Sequence, residues 1–248
     1  MAGSSSESRR RPLAWAATLA LLAAGSVVAV ELRGRSSRLP FAPPPELRGH
    51  DWAAVSDAAG AFRVWRAAGV RGRWIVVLTG RWSRPRDPRE VMASAEELMA
   101  VGGRDGSVPE FVDPENALYA AAQTGIGRRF SVAMTPSSLT RKAEESRAQP
   151  DFAPEGRGDS FRFPFHGLLR RFSTPDRLEP PPEPALVLVE PSFFQPQAVA
   201  PDRLLRARGV SFDLALVALD DPAADEAQRT AARKFVETLG APFVETDE

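Results

Sequence analysis

The chain contains no cysteine. That excludes disulfides, zinc–thiolate centres, a cysteine nucleophile and a lipidated cysteine anchor, and it leaves the redox compartment open. Lysine is almost missing: Lys142 and Lys234 are the only two, and every other basic residue is arginine. Histidine is confined to His50 and His166. Basic and acidic residues balance at 32 each, so no whole-chain charge draws the protein to nucleic acid. Glycine patterns that cradle phosphates are also missing. Thr79-Gly80-Arg81 is not a dinucleotide turn, and Gly125-Ile126-Gly127 falls between a helix and a strand. No internal repeat is visible.

What is present points to one folded domain. The 248 residues are 43% hydrophobic, which excludes disorder throughout and is enough for a sizeable core. The preference for arginine accompanies abundant alanine, proline and glycine, the composition of a GC-rich coding sequence. The pairs Arg128-Arg129 and Arg170-Arg171 therefore read as solvated surface.

Four regions follow from composition. Residues 1–12 form a polar, basic tail ending in Arg9-Arg10-Arg11. Leu13 to Val30 carries no charge and approaches the roughly 20 residues that cross a bilayer. It reads as a single-pass membrane anchor with the remaining chain outside the cytoplasm, periplasmic or extracellular. Cleavage near Val27-Val28-Ala29 is the alternative, giving a secreted protein. Residues 31–49 read as a proline-rich linker, and 50–248 as the folded domain.

Within the domain, strands alternate with helices. Strands are predicted at Arg73–Leu78, Arg129–Met134, Phe161–Phe165, at the apolar run from Ala185 to Glu190, and at Phe212–Leu219. Helices are predicted at Ser56–Ala68, Pro88–Val101, Pro114–Thr124 with Asp113 as cap, Gln197–Arg208, and Pro222–Leu239 with Asp221 as cap. Ser137 to Asp159 is polar and reads as a long surface loop. The alternation implies an α/β domain: three αβα layers on a mostly parallel sheet.

Four ordered segments resemble the ureohydrolase-like family that includes the peptide arginases. They are Ser56–Trp82, Val112–Pro136, Pro184–Phe194 and Asp213–Leu239. The resemblance implies an arginase-like sheet. It also implies a two-manganese centre that hydrolyses guanidino groups, held by D-A-H-x-D and D-I-D-x-D motifs. Here the first motif falls on Thr79, Gly80, Arg81, Trp82 and Ser83, and the second on Leu188, Val189, Glu190, Pro191 and Ser192. Thr79, Arg81, Ser83, Leu188 and Ser192 are poor ligands at these places, and Glu190 alone stays acidic. Arg81 sets a cation where a metal would sit. No catalytic, cofactor-binding or metal residue is therefore assigned, and no cofactor is expected.

The reading is a non-catalytic, membrane-anchored, arginase-like module that binds an unidentified protein partner or small ligand. A relocated metal-dependent hydrolase of linear amidines, drawing on His50, Asp51, Glu190 and His166, is an alternative, as is a structural cell-envelope protein. Glu190 reads as a surface carboxylate or as the partner of Arg81. Trp74 and Trp82 read as core or rim packing, and Asn116 as a helix-start residue.

Overall fold

The computed structural model describes residues 41–80, 112–114, 116–147, 160–165 and 168–246. Among these residues, seven strands form one sheet: β1 (Trp52–Val55), β2 (Arg73–Leu78), β3 (Gly127–Ala133), β4 (Ser160–Phe165), β5 (Leu168–Ser173), β6 (Ala185–Val189) and β7 (Phe212–Ala218). Their spatial order is β1-β7-β6-β2-β3-β5-β4. All neighbours are parallel except β4, which closes one edge antiparallel to β5.

The described helices are α1 (Ala58–Ala67), α2 (Ala117–Gln123), α3 (Pro136–Arg147), α4 (Pro201–Ala207) and α5 (Glu226–Leu239). They cover both faces. Ile75, Val77, Leu186, Leu188, Leu214 and Leu216 pack with α1, α2 and Leu139 of α3. Trp74, Val76, Val187, Val189, Ala215 and Val217 pack with Leu204 and Leu205 of α4 and with Ala232 and Val236 of α5. Successive strand residues point to opposite faces, so a strand apolar at every position needs cover on both sides. Each large aliphatic side chain buried this way contributes about 1.5–3 kcal/mol.

The helix ends have identifiable causes. Asp57 caps α1 by accepting from the Gly60 N–H at 2.8 Å. Asp225 and Gln228 form a reciprocal capping box at α5, with both hydrogen bonds at 2.9 Å. Gly240 ends α5 in the left-handed region, φ 59°, which glycine adopts without a Cβ penalty.

Several expectations are corrected. Residues 137–147 of the expected loop lie in helix α3, begun by Pro136 and anchored by the buried Leu139; residues 148–159 lie outside the described residues. The helix expected from Gln197 begins at Pro201. The helix expected from Pro222 begins at Glu226, because the Asp225–Gln228 box satisfies its first N–H groups. Helix α2 begins at Ala117, and the capping expected of Asp113 is seen one turn earlier: its carboxylate accepts from the Asn116 N–H at 3.0 Å, and the Asn116 side chain accepts from the Asp113 N–H at 3.1 Å. Strands β1 and β5 were not expected. The folded unit also starts before His50: Leu47 is fully buried in the core and Phe41 packs against it. The expected helix at Pro88–Val101 and the apolar segment Leu13–Val30 lie outside the described residues. Among the described helices, none is long and apolar enough to cross a membrane.

The capping box makes a direct prediction. Asp225→Ala should cost about 1 kcal/mol, a fall of about 2–4 °C in Tm for a domain of this size. Calorimetry of the two chains checks it.

Candidate functional site

The chain order defines one crevice. From β2 it moves through β3 to β5 on one side, and from β6 through β7 on the other. β2 and β6 are neighbours, with Leu78 level with Val189. Loops leaving their carboxyl ends diverge, and such switch points are where open α/β sheets place ligands. Thr79-Gly80 leaves β2 there, and Glu190-Pro191-Ser192 leaves β6.

The two loops close on each other. The Glu190 N–H donates to the Leu78 carbonyl at 2.9 Å, extending the ladder by one step. The Thr79 and Ser192 hydroxyls are 3.2 Å apart. The Gly80 N–H donates to Ser192 Oγ at 3.3 Å. The Gly80 carbonyl accepts from Thr135 Oγ1 at 3.0 Å and from Ser138 Oγ at 2.8 Å. The Ser192 carbonyl accepts from Gln228 Nε2 at 3.3 Å. Gln228 thus serves two ends: its Oε1 caps α5, and its amide nitrogen holds the β6 loop. A Cβ on Gly80 would lie 1.7 Å from the Ser192 carbonyl oxygen, so this approach requires glycine.

Glu190 sits beside this lock and is half-buried. Burial pushes its carboxyl up from the ordinary 4.5 to about 7; a hydrogen bond from Thr79 opposes the rise, and the nearby Asp221 carboxylate adds to it. Asp221, after β7, is buried, and its Oδ2 has no hydrogen-bond partner. Taking a carboxylate out of water penalises its charged form, and a like charge nearby penalises it again.

The sequence-derived positions therefore separate. Thr79, Glu190 and Ser192 meet at the crevice. Leu188 is a fully buried core residue. Arg81, Trp82, Ser83 and His166 lie outside the described residues. The surface reading of Glu190 is corrected in part: it is half-buried and bonded to Thr79. Trp74 is core, 4% exposed. His50 and Asp51 are exposed and precede β1, whose Trp52 is level with Ala215 of β7. Glu190 follows Val189, which is level with Val217. Two strand spacings and four residues of rise put Asp51 and Glu190 roughly 16 Å apart, so one metal cannot bridge them. Among the described residues, no three histidines or carboxylates gather closely enough to hold a metal ion.

Thr135, Ser138 and Gln228 belong to the site but carry no site assignment from sequence, and Asp221 is read there only as a helix cap. Only Gln228 carries a local signal, as the third residue after the cap Asp225.

Open space lies beside the crevice. A cavity of about 360 Å³ is lined by Thr135, Pro136, Pro175, Phe193, Gln195 and Val199. Its size falls in the range of small-ligand pockets.

Fold and site together define a class: an α/β domain with a mostly parallel sheet whose switch-point crevice is closed by its own loops. Comparison of the chain with protein-family models, curated proteins and solved structures gives no match.

Two outcomes follow. Gly80→Ala should destabilise the chain by more than about 3 kcal/mol, because backbone blocks the new methyl; urea unfolding reads this directly. For Glu190, the folded chain keeps its proton to about pH 7, whereas an unfolded chain releases it near 4.5. The folded state therefore binds more protons between those values, and its stability falls as pH rises through the window. Glu190→Gln should match the parent below pH 4.5 and exceed it by roughly 2–3 kcal/mol at pH 8. Urea midpoints at pH 4 and pH 8 test the difference.

Proposed function

We propose that the chain is a non-catalytic, arginase-like binding module, held at a membrane by Leu13–Val30, with its α/β domain outside the cytoplasm. The observation that carries the reading is the contact between Gly80 and Ser192. At the place where the related chemistry needs carboxylates and imidazoles around a metal, this chain has hydroxyls, a backbone contact and one carboxyl that burial holds partly protonated near pH 7. Neither a hydroxyl nor a protonated carboxyl binds a divalent ion well at neutral pH.

Ligand binding, rather than a purely structural role, is supported by the adjoining cavity. Its walls are mainly apolar, with the Thr135 hydroxyl and the Gln195 amide as orienting groups. That mixture suits a small ligand held by shape and one or two hydrogen bonds.

Metal analysis tests the proposal. The full chain, purified with manganese present and then desalted, should retain no stoichiometric metal by mass spectrometry. It should also release no urea from arginine or arginyl peptides. One or two retained manganese ions together with turnover would overturn the non-catalytic reading.

A further inference from the structure

The face of the sheet that carries α4 and α5 changes character beyond β2. Over β1, β7, β6 and β2 it is apolar and packs with those helices. Trp74 is level with Arg129, Ser131 with Arg171, and Arg171 with Arg162. Residues level on neighbouring strands share a face. Trp74, Arg129, Ser131, Arg171 and Arg162 therefore run as one strip across β2, β3, β5 and β4.

Two of these guanidinium groups are fixed on the tryptophan. Arg129 Cζ lies 5.4 Å and Arg171 Cζ 5.5 Å from the Trp74 ring centroid, both within cation–π range. Arg171 is also paired with Glu179. Arg162 is exposed and stands directly opposite Arg171, a like-charge pairing that weakens an antiparallel sheet. Beneath them the Ser131 hydroxyl is 2% exposed and has no hydrogen-bond partner; Arg171 Nε is likewise unpartnered. The nearby Asp176 carboxylate, on the turn after β5, is engaged by Thr174, Arg177 and Arg208.

We propose that Arg129, Arg171 and Arg162 form a binding site for a phosphate group, with Trp74 as its floor. Among the described residues, three guanidinium charges meet one paired carboxylate, Glu179, which leaves two positive charges to complement a phosphate monoester of about −1.5 to −2. Arginine's planar fork suits bidentate recognition of such an oxyanion. A bound phosphate would also relieve the Arg162–Arg171 repulsion. The site stands independently of the metal question, because it lies on the sheet face and not at the carboxyl edge.

The experiment is a calorimetric titration of the full chain with inorganic phosphate at constant ionic strength. Vesicles of phosphatidylcholine with and without phosphatidic acid form a second arm, which separates a lipid headgroup from a free phosphate ligand. Arg162→Gln is the main variant, since an exposed side chain can be replaced without loss of the fold. Arg171→Gln is the second, and Arg206→Gln, on the exposed surface of α4, is the control. The expected result is saturable binding in at least one arm, weakened at least tenfold by Arg162→Gln and unchanged by Arg206→Gln. Absence of binding in both arms, or equal weakening by Arg162→Gln and Arg206→Gln, would overturn the proposal.

Discussion

The seam between β2 and β6 is the constraint on which the domain depends. One half of the sheet is β2-β3-β5-β4, the other is β6-β7-β1, and within the sheet they are joined only along this pair. Both strands are apolar at nearly every position, so the seam is dry on both faces. Dryness makes each ladder hydrogen bond costly to break, because water is not at hand to replace it. Past the strands the seam continues as the Thr79–Ser192 hydroxyl pair and the contact of Gly80 with Ser192. Thr135 and Ser138 brace that contact from the start of α3, and Gln228 braces it from α5. A single missing Cβ thus lets two loops, two helices and the strand ends share one hydrogen-bonded cluster.

That closure decides what the crevice can do. In an open α/β sheet the diverging loops leave room for a ligand and direct backbone groups toward it. Here the same backbone groups are taken up by side chains of the domain itself. The Gly80 N–H meets Ser192, and the Gly80 carbonyl takes two hydroxyls. The same closure half-buries Glu190, and that burial raises its carboxyl to about 7. The free volume lies to one side, against Phe193 and the 195–199 segment.

How much of this was legible follows from what each element needs from its local sequence. β2, β6 and β7 were readable because strands buried on both faces must be continuous apolar runs. β5 was not, since Arg170-Arg171 interrupts its run, and a charged pair is ordinarily the mark of solvent. β1 is four residues with two alanines, too short for a period to show. Among the described side chains of α3, only Leu139 and Ala143 are apolar groups packed against the core, so its sequence looks like a polar loop. The start of α5 was ambiguous: Pro222 suits a first turn, yet the glutamine three residues after Asp225 selects the later start. At the site, Thr79, Glu190 and Ser192 were found through strand ends. Thr135, Ser138 and Gln228 reach them only by folding, from places up to 149 positions away in the chain numbering (79 to 228).

The arginines show a further limit of composition. Averaged over the chain, a surplus of arginine over lysine says little about any one position. Strand alternation gives it meaning at three of them, because Arg129, Arg171 and Arg162 fall on one face across three adjacent strands. Two of them lie over a buried indole, where a weakly hydrated planar cation loses little on leaving water and gains from the ring. A lysine ammonium is more strongly hydrated and would resist that position. Trp74 thereby marks a boundary on a single sheet face: toward β6 it packs with apolar residues, and toward β3 and β5 it carries charge. One strand can hold that boundary because its side chain has a large apolar body that also attracts cations. At Arg129 and Arg171 the contact with the ring favours arginine over lysine, whatever the composition of the rest of the chain.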